Sequence, residues 1–514
     1  MHRCLELEEI LTLICAEISE GDILTVETHA ALVGFAQTCR KVEDPALNEL
    51  WRRQTSLGPL IRCFPQDMWG YDPKGILIFH RGPQKKDWEK LIPYASRIKE
   101  LVYRPRADNP FPSYASIRTW QVLAISQPPT MKNLLPNLQR LTWNEHELCS
   151  SFIRLLLSPT LAHLELLTTG IDLLRISLLP YLHDLCPSLH SIIFRGGTSP
   201  STTESISAAI CRWNHLRVFD AHDLTPEAFA HLASMPTLAT LRYRGKGECV
   251  EKLASECNFP ALRDLTLIGL DMSHVVSILK SISNPQLKRL DITASSLTSA
   301  LTWKELFVCL GDSRSTLSDL VFNDPPSTTS NLSDVNEFSV GQDVLRPLLD
   351  LPNLTHVEIN PGLGASLDNN LLQQLAEAWP RLRKLELGLP PSPYYTQPFN
   401  TILVTFAGLI ALVVRRPELV HLGILINALA VDAPNPIHHG SRAYNTKIRS
   451  LKVGCSPIAE NFVDVATLLS DIFPNLTSIG TTERRRCGHT QLWANVSTIL
   501  QRFTLRRPTL NVQP

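Results

Sequence analysis

The side chains that could do chemistry are few and poorly spaced for it. Gly245-Lys246-Gly247 and Gly362-Leu363-Gly364 are isolated glycine pairs. A phosphate cradle or dinucleotide site needs further glycines at fixed spacing, and a phosphate loop also needs Lys followed by Ser or Thr, so that backbone N–H groups converge on the anion. Both pairs read as turns. His438-His439 and Cys487-Gly488-His489 are the metal candidates, but adjacent histidines point apart, and neither cluster supplies the three or four ligands that zinc takes. No Gly-x-Ser-x-Gly or His-Glu-x-x-His motif occurs, and the cysteines lack a local histidine-bearing signature. Arg484-Arg485-Arg486 and Arg506-Arg507 could neutralise phosphate, yet a short charge run is ordinarily a solvated surface. The residues point away from catalysis, metal or cofactor and toward binding.

What the chain does repeat is apolar. A Pro-x-Leu-x-x-Leu-x-apolar phrase, as in Pro136-Asn137-Leu138-Gln139-Arg140-Leu141-Thr142-Trp143, recurs thirteen times at intervals of 22 to 37 residues. The anchors are Leu138, Leu161, Leu189, Leu216, Leu238, Leu262, Leu287, Leu317, Leu354, Leu382, Leu419, Ile448 and Leu476. The residue three after each anchor is apolar, and so is the residue five after, except Thr481. Residues two apart share one side of a strand, so the third and fifth positions face an interior while the second, fourth and sixth face out. Proline sits two before the anchor in ten of the thirteen units, where it ends one element and starts the next.

Amphipathic helices lie between the strands. Val275, Ile278, Leu279 and Ile282 fall at helical spacing, as do Phe462, Val465, Ala466, Leu469 and Phe473. Thr225 before Pro226 reads as an N-cap followed by proline at the first helical position. Repetition of strand and helix at this length resembles the leucine-rich repeat, over roughly residues 98 to 514, with parallel strands concave and helices convex. The regular repeat has Asn or Cys eight after the anchor to bond the turn. Here only Asn427 conforms, which implies uneven turns.

The chain has 514 residues with Lys+Arg 49 and Asp+Glu 49, so no net field recruits nucleic acid or an anionic membrane. Twelve cysteines without a paired motif, and Glu6, Glu8 and Glu9 where a signal peptide is apolar, point to reduced thiols and an intracellular place, cytoplasmic or nuclear. Ile402 to Val414, the most apolar run, is too short for the ~20 residues of a membrane span and reads as a buried repeat helix.

Residues 1 to 60 lack the phrase and read as compact helices: Leu5, Leu7, Ile10, Leu11 and Ile14 in a first, Ala31 to Cys39 in a second, Pro45 to Trp51 in a third. This order resembles the F-box, the helical motif that docks on the Skp adaptor of a cullin-RING ubiquitin ligase. Glu6-Leu7-Glu8-Glu9-Ile10-Leu11-Thr12-Leu13-Ile14 stands where the family has its Ile/Leu-Pro-x-Glu opening, with Glu8 at the proline position. Cys39-Arg40-Lys41-Val42-Glu43-Asp44-Pro45-Ala46-Leu47-Asn48-Glu49-Leu50-Trp51 is similar to the closing helix of F-box/leucine-rich-repeat proteins from mushroom-forming fungi. The similarity continues through Pro65-Gln66-Asp67-Met68-Trp69, Asp87-Trp88 and Tyr94-Ala95-Ser96-Arg97-Ile98.

The resemblance implies an F-box-like module at 1–60, a connecting segment at 61–97 packing on the first repeat, and an α/β repeat solenoid at 98–514. It implies an adaptor contact through Leu7, Ile10, Leu11, Ile14, Leu47 and Trp51, unless these only fill the helical core or pack on the first repeat. A protein target would then sit on the repeats. The outward positions alternate in charge: Arg195, Asp220, Arg242, Arg244, Asp264, Arg289 and Asp291. They serve either as mutually neutralising pairs or as a site for a zwitterionic peptide face. Insertions at Asn323 to Val344, Pro390 to Asn400 and Asp432 to Asn445 hold Tyr394, Tyr395, His438, His439, Arg442 and Tyr444, and could form a binding lip or plain elaboration.

Overall fold

In the computed structural model the described residues are 7–19, 25–103, 115–144, 147–167, 173–196, 199–245, 258–282, 286–311, 316–325, 335–389, 402–431, 445–481 and 488–506. They belong to two compact units, Met1–Ala228 and Phe229–Pro514.

The first unit opens with helices α1 (Glu8–Ile18), α2 (Val26–Ala36) and α3 (Arg40–Arg52). Leu11, Cys15, Leu32, Val42 and Ala46 form a core of their own. The second helix starts earlier than the apolar pattern alone suggests, because the Thr25 hydroxyl accepts the Thr28 N–H at 3.2 Å and caps it. The third also starts early, at Arg40, so that Pro45 lies inside it and removes one helical hydrogen bond.

From α3 the chain passes directly into strand β1 (Arg53–Gln54). A small antiparallel pair follows, β2 (Trp69–Tyr71) with β3 (Leu77–Phe79). The remaining strands of this unit are β4 (Glu100–Tyr103), β5 (Arg140–Asn144), β6 (His163–Leu167), β7 (Ser191–Arg195) and β8 (Val218–Ala221). In sheet order β1, β4, β5, β6, β7 and β8 are parallel neighbours.

The second unit continues the pattern with β9 (Thr240–Arg244), β10 (Asp264–Leu270), β11 (Arg289–Ala294), β12 (Asp319–Asn323), β13 (His356–Asn360), β14 (Lys384–Leu387), β15 (His421–Ile424), β16 (Ser450–Gly454) and β17 (Ser478–Thr481). Each pairs in parallel with the next. All thirteen anchors are buried, and so is the residue three after each except Ile479, which is partly exposed. The strand phase read from the phrase is therefore the observed one.

Helices occupy the intervals. Met272–Ser281 buries Val275, Ile278 and Leu279, and Phe462–Ile472 buries Val465, Ala466 and Leu469. The helix Pro226–Ser234 opens at Pro226, with Thr225 Oγ1 accepting the Ala228 N–H at 3.4 Å. In the apolar run 402–414 the helix is confined to Phe406–Arg415. Ile402 to Thr405 is extended instead, because the Val404 carbonyl accepts the Asn427 N–H at 2.8 Å and Asn369 Oδ1 accepts the Thr405 N–H at 2.9 Å.

The Asn427 side chain accepts the Leu429 N–H at 3.2 Å. Other buried polar groups tie neighbouring repeats. Asp324 accepts from Thr298 Oγ1 at 2.6 Å and from the Gly362 N–H at 3.0 Å, while burial pushes its carboxyl up against those bonds. Asn445 donates to the Leu419 carbonyl at 2.8 Å and the Pro417 carbonyl at 3.1 Å, and accepts from the N–H groups of Lys447 and Ile448.

Candidate functional site

The helical module carries an open groove of about 510 Å³ between α2 and α3. Its apolar lining is Val33, Ala36, Cys39, Ala46, Leu47 and Leu50, with Gln37, Arg40 and Glu43 among them. The groove exists because the facing residues are small: Ala36 on α2 and Ala46 on α3 leave room that longer side chains would fill. Its character is an apolar trough with one cation and one anion beside it, the chemistry of a protein-docking surface.

The six residues expected on this module separate into two sets. Leu7 is 53% exposed just before α1, Ile10 and Ile14 are partly exposed along that helix, and Leu47 lines the groove. Leu11 and Trp51 do not belong with them. Leu11 is 2% exposed in the module's core, and Trp51 packs against Tyr94 of the helix Lys85–Ala95, with ring centroids 4.9 Å apart and the planes tilted. Arg97 strengthens that junction by pairing with Asp44 at 2.6 Å and donating to Asn48. Sequence reading missed Val33, Ala36 and Leu50, although their helical spacing was visible, because only packing reveals which face α2 leaves open.

On the sheet of the first unit, Arg195 lies 3.4 Å from Glu165 and 4.0 Å from Asp220. Asp220 alternates as expected but is fully buried, so it is not on display. Thr142 and Arg195 both engage Glu165, so the two carboxylates Glu165 and Asp220 share one guanidinium.

On the second unit, Arg289 pairs with Asp291 along its own strand at 3.5 Å, and Thr240 donates to Asp264 at 3.3 Å. Burial pushes the Asp291 carboxyl up, opposed by Arg289 and by the charge of Arg242. Arg242 is exposed and Arg244 partly so. Further along, Lys384 meets Glu358 at 2.9 Å and His356 meets Asp319 at 3.0 Å. Lys452 and His421 converge on Glu386 at 2.8 and 3.2 Å. The charged rows are thus largely self-paired.

Tyr394, Tyr395, His438, His439, Arg442 and Tyr444 lie outside the described residues, as do Cys487 and Arg484 to Arg486. Among the described residues no group of three or more His, Cys, Asp or Glu could hold a metal, and no helix is long and apolar enough to cross a membrane. Gly362 and Gly364 form a turn, with Gly364 at φ 76 donating its N–H to the Pro361 carbonyl. His489 Nδ1 is held at the Ile458 backbone, 2.8 Å from its carbonyl oxygen.

No protein-family model matches the sequence, and no curated protein matches it. Among solved structures the chain is similar to Rad7 in the yeast Rad7–Elc1 complex, at 16% identity and TM-score 0.34 over 72% of this chain and 82% of that one. It is also similar to an internalin, InlF, of Listeria monocytogenes, at 13% identity and TM-score 0.30 over 71% and 85%. A third is the leucine-rich-repeat protein LegL7 of Legionella pneumophila, at 12% and 0.29 over 72% and 98%. The strand-and-helix pattern within each unit is that of a leucine-rich-repeat fold.

Proposed function

We propose that this chain is the substrate-recognition subunit of an SCF-type cullin-RING ubiquitin ligase, cytoplasmic or nuclear. In this reading residues 1–60 dock the Skp adaptor and through it the cullin, 61–97 brace the module, and the repeats from 98 onward hold a protein target. The observation that carries the reading is a three-helix module with its own core and an open apolar groove, ahead of the repeats. The resemblance of residues 6–14 and 39–51 to an F-box adds to it.

Leu7, Ile10, Ile14 and Leu47 are the proposed adaptor contacts, with Leu50 and Val33 joining them, while Leu11 and Trp51 hold the module together. The chain performs no chemistry of its own. It raises the effective concentration of a target lysine at the charged conjugating enzyme, which turns a bimolecular encounter into a nearly intramolecular one.

Leu47→Asp places a carboxylate in the groove at a residue that is not part of the module's core. The full-length variant is expected to lose co-purification of Skp and cullin from native lysate, and Cys39, which lines the same groove, to be shielded from alkylation by bound adaptor in the unmodified chain. Retained co-purification by the variant overturns the groove as the adaptor site. Capture of other partners without Skp or cullin by the unmodified chain favours a repeat scaffold unconnected with ubiquitination.

A further inference from the structure

The residue immediately after each repeat anchor sits at the start of its strand, and in the second unit these residues form a continuous ladder. The Lys288 N–H donates to the Arg263 carbonyl, and the Ser318 N–H to Lys288. Thr355 then donates to Ser318, Arg383 to Thr355, and Val420 to Arg383. The register of Leu422 with Leu451 sets Arg449 beside Val420. Adjacent rows are ~4.8 Å apart, so the side chains are neighbours along one edge of the sheet.

Arg263, Lys288, Arg383 and Arg449 are all exposed on this edge. Among the described residues none of the four lies within ion-pair distance of a carboxylate, while the acids nearby are engaged elsewhere. Asp319 is held by His356 and Ser318, Asp291 by Arg289, and the rim acid Glu418 by Lys447, with the charge of Arg383 acting on Glu418 from beyond ion-pair distance. Val420, between Arg383 and Arg449, is 53% exposed. A chain whose formal charges cancel thus concentrates cations in one row, with an apolar residue set among them.

We propose that this edge binds an extended acidic peptide in which an apolar side chain lies between acidic ones. The apolar residue covers Val420, its acidic flanks meet Arg383 and Arg449, and further acidic residues continue toward Lys288 and Arg263. Guanidinium groups suit this role because they take carboxylates in a bidentate fork. A single-stranded nucleic acid fits less well, since base stacking needs aromatic faces and, among the described residues of this unit, the exposed large apolar side chains are aliphatic. The inference rests on the reading that the repeats hold a protein target, and it assigns the chemistry of that target.

The test uses the full chain and a fluorescent peptide alternating glutamate and leucine, followed by anisotropy. Saturable binding that weakens with salt is expected, with Arg383→Glu plus Arg449→Glu at least tenfold weaker and Val420→Asp weaker as well. A peptide with lysine in place of glutamate should bind the reversed variant better than the original chain. These positions are exposed, so unchanged thermal melts would show that the variants fold. Absence of peptide binding, equal binding by the reversed variant, or tighter binding of an oligonucleotide than of the peptide overturns the proposal. Adaptor co-purification by the same variants is expected to be unchanged. Absence of Skp and cullin from the unmodified chain as well would count against the ligase reading and leave the peptide result standing.

Discussion

Replacing Lys452 with methionine asks whether charge or packing holds the sheet face of the second unit. Lys452 Nζ reaches across β15 to Glu386 Oε2 at 2.8 Å, and His421 Nε2 stands 3.2 Å from the same oxygen. The crossing depends on Gly423 in the intervening strand, where a Cβ would come within 2.9 Å of Glu386 Cγ. Burial by itself would raise the Glu386 carboxyl, but hydrogen bonds from His421 and Lys452 outweigh it and hold the group at about 2. Against an ordinary glutamate near ~4.3, and at ~1.36 kcal/mol per pH unit, that corresponds to about 3 kcal/mol at neutral pH. Lys452 is 47% exposed and shares its charge with water, so its removal is expected to cost roughly half of this, about 1–2 kcal/mol. Because the folded value is depressed, the contribution is complete above the unfolded value and is lost as pH falls through about 2. Urea melts of the full chain and the variant should therefore differ by about 1–2 kcal/mol near pH 7 and by less near pH 3. An equal difference at both pH values would mean that the lysine stem packs and its charge is idle. No difference at neutral pH would mean that His421 suffices, and either result refutes the argument.

The burial pattern makes two further predictions. Leu265→Ala, at a fully buried strand position, should cost about 2–5 kcal/mol. Its neighbour Thr266→Ala, on the partly exposed face, should cost little, and equal losses in denaturant melts would overturn the strand orientation. Asn445→Ala should cost about 2–4 kcal/mol, because it strands two carbonyls and two N–H groups in a buried turn. Hydrogen exchange at Lys447 and Ile448 should accelerate in that variant, and unchanged exchange would show that water replaces the side chain.

The apolar skeleton was legible because each repeat states it again. Leu262, Leu265 and Leu267 are read by spacing alone, and their burial needs only the next repeat with the same spacing. Polar contacts were not legible in this way, since their partners come from another repeat at an irregular interval. Nothing local to Asp220 announces that it will be fully buried near Arg195, or local to Trp51 that Tyr94 will cover it. Asn445 looked like the last residue of an insertion, yet it holds the entry to the next strand. The basic edge is a different case, because its signal was present in the sequence all along. Reading each phrase at the second, fourth and sixth positions follows strand alternation, but it passes over the first position. That residue precedes the strand and is exposed by lying at its end rather than by pointing away from the core. Arg263, Lys288, Arg383 and Arg449 all occupy that column. Alternation governs which face a side chain takes inside a sheet, whereas position along the strand governs whether it reaches the rim, so a repeat's binding edge has to be sought one residue outside the pattern that identifies its core.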